Sequence, residues 1–230
     1  MKLKNFDFIQ KVYLHPEHVV KLKNNERPFP MTIEVDLTNH CNHNCSFCCW
    51  KEDIAVDKST LDTKTIKKTI YEMKKLGTKA ICFTGGGEPM IHKDFYQILS
   101  FTKEKELDCG LITNGSAITK EHCAELINNL QWIRISISGG DAASYNKVQG
   151  KEHFERVISN ISMLAKEKIK KTNSFKIGIR MLLNEMNLYS LSKLAERIKN
   201  INGINYLQIS PNQFGNDEGK FWNGPDVENE

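Results

Sequence analysis

Three cysteines in a short stretch, Cys41, Cys45 and Cys48, are the residues of this sequence whose type and spacing point first to chemistry. Thiolates are soft ligands that select zinc, copper(I) or iron–sulfur clusters over hard cations. A structural zinc site normally has four protein ligands, whereas a site built for reactions keeps one coordination position open. Because a fourth ligand at matching spacing is missing, the three thiols predict a metal centre with an open position.

Other potential ligands lie beside these thiols and leave two further interpretations open. Cys49 follows Cys48 directly and could replace it, and either Cys49 or His43 could close a four-ligand zinc site in a non-catalytic module. A histidine in such a loop more often makes local hydrogen bonds than binds a metal. An electron-transfer iron–sulfur protein is the second interpretation, but such a protein is expected to offer four protein ligands.

A glycine-rich turn, Thr84-Gly-Gly-Gly-Glu88-Pro89, is the second feature that suggests chemistry. Glycines allow the backbone to approach a ligand closely, and barrel enzymes build their sites at the carboxyl ends of strands. The turn ends a predicted strand one βα unit after the cysteines. We therefore expect both at the same rim of the fold, and a zinc module would have no use for the turn.

The elements that position these residues alternate between short strand patterns and helical patterns. The predicted strands are 33–38, 79–84, 109–113, 132–138, 175–183 and 206–210, and the predicted helices are about 59–76, 94–105, 119–129, 154–169 and 188–199. Ser59 and Asp62 resemble a capping box at the start of the first helix. This alternation favours βα units around a parallel sheet, and thus an α/β fold.

Period-two patterning gives the predicted strands one apolar and one polar face. The apolar set, expected under the helices, includes Ile33, Val35, Leu37, Ile81, Phe83, Ile133, Ile135, Ile137, Ile177, Ile179, Met181, Leu207 and Ile209. The polar set includes Glu34, Asp36, Thr38, Thr84, Asn114, Arg134, Ser136, Ser138, Lys176, Arg180, Asn184, Gln208 and Ser210. Since closed barrels usually fill their interior with apolar side chains, a polar inner face favours a partly open barrel around a polar ligand over an ordinary sheet with one solvated face.

Length and composition describe an ordinary globular chain. The 230 residues, 40% hydrophobic and 26% charged, suit a single domain, which we divide into an N-terminal extension (1–30), a barrel (31–212) and an acidic tail (213–230). The tail either covers the substrate or marks a shortened chain. The net charge of +4 is small and its lysines are scattered, so we expect no nucleic-acid partner.

The cysteine count and the hydropathy of the chain bear on its compartment. Seven cysteines, an odd number with four of them within 41–49, do not resemble a disulfide framework. We find no targeting segment and no apolar run long enough for a membrane span, so a cytoplasmic protein without a membrane partner is expected.

Three motifs in the same order as the strands carry a family resemblance. Cys41-x3-Cys45-x2-Cys48 with Phe47 before the last cysteine, Gly86-Gly87-Glu88-Pro89, and Ile112-Thr-Asn-Gly115 together resemble the radical S-adenosylmethionine (radical SAM) enzymes. The resemblance runs from about residue 33 to 211, and residues 30–41 look most like the molybdenum-cofactor and SPASM-type peptide-modifying branches. It implies a partial (β/α)6 TIM-like barrel of parallel strands.

The resemblance also implies the cofactors. Cys41, Cys45 and Cys48 would bind three irons of a [4Fe-4S] cluster, family spacing favouring Cys48 over Cys49, and S-adenosylmethionine would chelate the fourth iron. A flavodoxin-type or ferredoxin-type donor would supply one electron for cleavage to a 5′-deoxyadenosyl radical, which abstracts hydrogen from a peptide or a small metabolite. No cysteine follows Cys123, so a single cluster is expected.

Contacts to S-adenosylmethionine follow from the same resemblance. Phe47 would stack near adenine, Gly86, Gly87 and Glu88 would hold the methionine amino group, and Ser136 would contact ribose with help from Asn114 or Ser138. Arg180 could pair with the methionine carboxylate, and its alternative is an ion pair with Glu34 or Asp36. Among enzymes, the alternative is an activase of glycyl-radical proteins, although the glycine-rich segment typical of that branch does not precede the cysteines.

Overall fold

Six parallel strands form one sheet whose spatial order follows the sequence, β1 to β6. The computed structural model describes residues 15–171 and 173–212. The strands are β1 (Thr32–Asp36), β2 (Ala80–Thr84), β3 (Asp108–Thr113), β4 (Trp132–Ser136), β5 (Lys176–Leu183) and β6 (Tyr206–Pro211). Each pairs in parallel with the next. The α/β class and all six predicted strands are thus confirmed, with ends shifted by no more than two residues.

Helices connect these strands. They are α1 (Pro16–Lys23), α2 (Lys51–Val56), α3 (Thr63–Lys75), α4 (Phe95–Glu104), α5 (Lys120–Asn129), α6 (Ala142–Gln149), α7 (Phe154–Ile169) and α8 (Leu191–Ile198), with 3₁₀ turns at Pro89–Ile91 and Leu188–Ser190. The five predicted helices are confirmed. The short helices α1, α2 and α6 were not predicted, because two turns or fewer give little periodic signal.

The predicted cap of the first long helix needs a correction. Helix α3 begins at Thr63, and its N-cap is Asp62, whose carboxylate accepts a 3.0 Å hydrogen bond from the Thr65 N–H. Ser59 instead donates its hydroxyl to Asp57 at 3.0 Å, within the loop that precedes the helix. Ser59 is therefore part of that loop and does not cap the helix.

The two faces of the sheet differ as the period-two pattern predicts. On the outer face the side chains of Phe83, Ile135 and Ile179 are fully buried against the helices. Ile33, Val35 and Leu207 of this layer are partly buried. Ile209 was also expected in this layer and is 47% exposed. It lies on β6, an edge strand with a neighbouring strand on one side only, and this explains its exposure.

The sheet curves without closing. In the described ranges β1 and β6 are the two edges and do not pair with each other. This open arrangement is consistent with the expected partial TIM-like barrel. Since all strands run in parallel, the loops after their carboxyl ends meet at one rim.

The division of the chain at residues 30 and 212 remains a prediction. Within the extension, the structure describes α1 and a segment attached to the barrel, where the Thr78 hydroxyl donates to the Pro30 carbonyl at 3.1 Å. The acidic tail, 213–230, lies outside the described residues. Every helix in the described part of the chain is too short or too polar to span a lipid bilayer.

Candidate functional site

The cysteine loop after β1 is attached to the carboxyl end of helix α6. The backbone N–H groups of Asn44 and Ser46 donate to the carbonyl oxygens of Gln149 and Val148 at 3.2 and 2.8 Å. The last carbonyl groups of a helix have no hydrogen-bond donors within the helix, and the loop supplies donors for them. Gly150 ends the helix at φ +64°, and a Cβ there would clash with the Asn44 carbonyl. The unpredicted helix α6 thus holds the loop in place.

The three thiols of the loop lie near one another and are partly buried. Burial, followed by the neighbouring thiols of Cys41 and Cys48, raises the pKa of Cys45 to about 12. Burial is also the main cause that raises the pKa of Cys41. A positive centre would favour the thiolate forms, because a bound metal deprotonates its coordinating thiols. The donor set therefore fits a soft metal centre.

The arrangement of the three thiols is compatible with an iron–sulfur cluster. Across residues 15–171 and 173–212, no three His, Cys, Asp or Glu side chains converge on a point that one ion could occupy. An iron–sulfur cluster contains several irons and spreads its thiolate ligands more widely than one ion does. The loose convergence of Cys41, Cys45 and Cys48 is thus compatible with a cluster.

The other potential ligands of the loop have different environments. Cys49 is exposed. His43 is buried, and its ring nitrogens lie 3.0 Å from the Tyr145 hydroxyl and 3.1 Å from the Asn42 side-chain oxygen. Burial, more than the nearby charge of His153, lowers the pKa of His43 to about 4. Both ring nitrogens of His43 thus lie at hydrogen-bonding distance from protein side chains, as expected for a histidine that is not a metal ligand.

The glycine turn after β2 is hydrogen-bonded to the segment that leads into the cysteine loop. The N–H groups of Gly87 and Glu88 donate to the carbonyls of Thr38 and His40 at 3.0 and 2.8 Å. A Cβ on Gly87 would clash with both of these oxygens. Gly86 donates its N–H to Asp36 at 3.2 Å. The two motifs therefore meet at one rim, as predicted, and glycine is required where they touch.

Glu88 joins the ends of β2 and β3. Its carboxylate, only 3% exposed, accepts hydrogen bonds from the Thr113 hydroxyl at 2.6 Å, the Asn114 N–H at 2.8 Å and the Met90 N–H at 3.1 Å. Burial raises its pKa despite these donors, which favour the charged form. The carboxylate thus fixes the turn of Gly86 and Gly87 relative to the third strand.

Asn114, in the motif after β3, reaches the cysteine loop directly. Its side-chain amide donates to the Asn42 side-chain oxygen at 2.7 Å, and its own oxygen accepts from the Ser116 N–H at 3.0 Å. Asn42 in turn donates to the Ser116 hydroxyl at 2.8 Å. Sequence reasoning missed Asn42 and Ser116, because a lone asparagine or serine in a loop gives no specific signal.

The end of β4 is joined to helix α6 by Gln149, which is 1% exposed and was also missed. Its side chain accepts from the Ser138 N–H at 2.6 Å and donates to the Ser136 carbonyl at 3.3 Å. The Ser138 hydroxyl accepts from the Leu182 N–H at 3.3 Å, so this side chain points to β5. The side chain of Ser136 lies on the inner face of the sheet and is partly exposed.

Arg180 stands beside Ser136 on the next strand. Its Nε atom is buried and has no hydrogen-bond partner in the described part of the chain. Burial, and then the charge of Arg134, lower the pKa of Arg180. The ion pair with Glu34 or Asp36 that the sequence allowed is not formed. Phe47, between the second and third cysteines, is partly exposed.

Comparison with known proteins gives a consistent result. The sequence model of the Radical SAM superfamily matches residues 35–198. An AdoMet-dependent heme synthase of Methanosarcina barkeri is 29% identical over 179 residues, which are 77% of this chain and 49% of that protein. A probable GTP 3′,8-cyclase of Thermococcus kodakarensis is 25% identical over 172 residues, or 73% of this chain and 54% of that protein.

Solved structures share the fold. SuiB of Streptococcus suis bound to the precursor peptide SuiA superposes with a TM-score of 0.71 at 18% identity, over 98% of this chain and 49% of that one. The same protein is also known bound to S-adenosylmethionine, with a TM-score of 0.71. This chain spans about half the length of these relatives.

Proposed function

The chain belongs to the radical SAM superfamily, and from this premise we propose that it binds one [4Fe-4S] cluster and S-adenosylmethionine and abstracts hydrogen from a substrate. The observation that carries the proposal is the hydrogen-bonded joining of three motifs at one rim. The glycine turn is bonded to the approach to Cys41 through Thr38 and His40, and Asn114 is bonded to Asn42 inside the cysteine loop.

Cys41, Cys45 and Cys48 would be the cluster ligands. When bound, the cluster would supply the electron that cleaves S-adenosylmethionine to methionine and a 5′-deoxyadenosyl radical. The protein holds the loop of the three thiols through the carboxyl end of α6. This loop lies beside the glycine turn, where backbone groups can approach a cosubstrate.

Residues on the inner face would bind the cosubstrate. The buried Nε atom of Arg180 has no hydrogen-bond partner among the described residues, and a guanidinium pairs readily with a carboxylate such as that of the methionine group. Ser136, beside it in the register, would contact ribose. Phe47 would contact adenine. The backbone of Gly86 and Gly87 would face the methionine amino group, with the turn fixed by Glu88. Asn114 and Ser138 would support this arrangement from neighbouring strands.

The substrate is a peptide or a small metabolite in this proposal. The relatives carry names that refer to haem synthesis, to GTP and to a peptide, so the shared barrel serves chemically different substrates. An external one-electron donor of the flavodoxin or ferredoxin type would complete the reaction. Fold similarity alone does not select among these substrates.

Anaerobic reconstitution with iron and sulfide tests the proposal. The wild-type protein should acquire one [4Fe-4S] cluster and, with a strong reductant, convert S-adenosylmethionine to 5′-deoxyadenosine and methionine. Stoichiometric zinc in place of the cluster, or no cleavage by an intact reduced cluster, would contradict it. Candidate substrates labelled with deuterium then identify the hydrogen source through transfer of the label into 5′-deoxyadenosine.

A further inference from the structure

Two arginines lie on the inner face of the sheet, one layer apart, and the proposed cosubstrate site uses only the upper one. The parallel register sets Arg180 of β5 opposite Ser136 of β4, and Arg134 of β4 opposite Gly178 of β5. Arg134 is two residues nearer the start of its strand than Ser136. At about 3.3 Å per residue, its Cα lies about 7 Å deeper in the barrel.

The side chain of Arg134 extends across β5. The Tyr206 ring covers Gly178, where a Cβ would clash with it, and the guanidinium reaches Gln208 of β6, where Nη1 lies 3.4 Å from the side-chain oxygen. This is long for an N–H···O hydrogen bond, whose usual length is about 2.9–3.0 Å. Besides this weak contact, the guanidinium carbon lies 5.9 Å from the centroid of the Trp132 ring, a cation–π contact that uses none of its five N–H donors.

The positive charge of this pair is not balanced by nearby carboxylates. The Nε atoms of Arg134 and Arg180 are both buried without a partner, as far as the described residues show. Neither arginine takes part in an ion pair between described residues. The inner-face carboxylates Glu34 and Asp36 belong to β1, three strands from Arg134 and four strands from Arg180.

Two partly buried guanidiniums without a counter-ion among the described residues are costly for the protein alone, because charges taken out of water need a partner. If Arg180 pairs with the carboxylate of S-adenosylmethionine, one cation remains unpaired. That cation is Arg134, and its planar fork of donors matches the two oxygens of a carboxylate or phosphate. Gln208 lies beside it, and its side-chain amide can also donate a hydrogen bond.

We propose that Arg134, assisted by Gln208, binds a carboxylate or phosphate group of the substrate in the layer below the cosubstrate. The inference rests on the proposed function, because it assumes that S-adenosylmethionine occupies Arg180. According to this proposal, the substrate carries an anionic group. The substrate would enter the barrel with its charged group foremost, and the carbon that loses hydrogen would remain nearer the rim.

Anion binding by the holoenzyme tests this proposal without any turnover. The reconstituted protein, saturated with S-adenosylmethionine and without reductant, is titrated calorimetrically with inorganic phosphate and with succinate. Arg134→Gln should weaken binding about tenfold or more, since it removes a charge-assisted contact. Arg134→Lys should retain part of the affinity. The matched control is Arg156→Gln on the exposed face of α7, which should leave the affinity unchanged.

The results have separate meanings. Binding of phosphate alone, of succinate alone, or of both identifies the oxyanion, whereas no binding of either overturns the proposal. It is also overturned if Arg134→Gln binds the anion as well as wild type, or if the variant loses S-adenosylmethionine affinity to the same extent. Cleavage by the wild-type protein decides the proposed function independently, because the anion titrations involve no cleavage.

A measurement on the wild-type protein covers the case in which Arg134→Gln does not fold. Phenylglyoxal modifies arginine, and mass spectrometry of the treated holoenzyme reports the modification of each arginine. Phosphate or succinate should slow modification of Arg134 several-fold and leave Arg156 unchanged. Equal rates at Arg134 with and without the anion would overturn the proposal.

Discussion

The carboxylate of Glu88 accepts a 2.8 Å hydrogen bond from the backbone N–H of Asn114 and so joins the turn after β2 to the motif after β3. Two more donors, the Thr113 hydroxyl and the Met90 N–H, converge on the same buried group. One side chain thus fixes the relative position of two of the three motifs at the rim.

Replacing this carboxylate should therefore loosen the rim. Glu88→Gln puts an amide donor where protein donors converge, so at least one hydrogen bond is lost and a buried polar group loses its partner. We expect the free energy of unfolding to fall by about 1–3 kcal/mol, measured by urea denaturation. Glu104→Gln, at an exposed position on α4, is the control and should change it by less than about 0.5 kcal/mol. If both variants were equally stable, Glu88 would not be the residue that joins the two motifs.

The assignment of the cluster ligands predicts different results for neighbouring cysteines. Cys45→Ala should lose the cluster and all cleavage of S-adenosylmethionine, because the loop then retains two of its three thiols. Cys49→Ala should keep both, since this side chain is exposed. Iron and sulfide analysis with visible absorption provides the measurement. A cluster retained in Cys45→Ala would contradict the assignment, and a cluster lost in Cys49→Ala would show that Cys49 is a ligand in place of Cys48.

The close contact at the glycine turn predicts a difference between adjacent glycines. A Cβ at Gly87 would clash with the Thr38 and His40 carbonyls, and backbone cannot move as a flexible side chain does. Gly87→Ala should lower the free energy of unfolding by about 1–3 kcal/mol and reduce cluster incorporation. The matched control is Gly86→Ala, whose Cβ would meet the side-chain oxygen of Asn39 at 3.1 Å and no backbone atom. A larger loss of stability in Gly86→Ala would contradict the geometry.

Asp141, the N-cap of α6, predicts a dependence of stability on pH. The hydrogen bond from Lys193, followed by those from Ser144, holds the pKa of this carboxyl well below its usual range. A lowered folded-state pKa stabilises the fold above the unfolded value of about 3.9, and this contribution is lost as the pH falls below it. Asp141→Asn keeps a capping oxygen but cannot titrate.

Urea denaturation between about pH 6 and pH 2.5 measures the effect. The stability of Asp141→Asn should decline less than that of wild type as the pH falls below about 4. Asp141→Ala, which also loses the cap, should be less stable than wild type by about 1 kcal/mol at neutral pH. If the free energy of unfolding fell equally with pH in wild type and in Asp141→Asn, the lowered pKa of Asp141 would be contradicted.

The sequence by itself determined the sheet and the composition of its rim. Period-two runs such as Ile133-Arg-Ile135 identify a strand and assign its two faces, because alternate side chains must point in opposite directions. Parallel strands bring their carboxyl ends to one edge, so motifs after β1, β2 and β3 could be placed together before any contact was known. The spacing of Cys41, Cys45 and Cys48 indicated a metal centre with an open coordination position, because all three thiols lie in one short loop.

Only the tertiary structure decided which groups hold that rim together. Asn42 and Asn114 are 72 positions apart, and His43 and Tyr145 are 102 apart, so no local pattern could pair them. Helix α6 has too few turns to show a clear period, yet its last carbonyls hold the cysteine loop. The contact between Arg134 of β4 and Gln208 of β6 likewise depends on the register of three strands. Local sequence patterns thus determine the helices and strands, and long-range packing determines which residues contact one another.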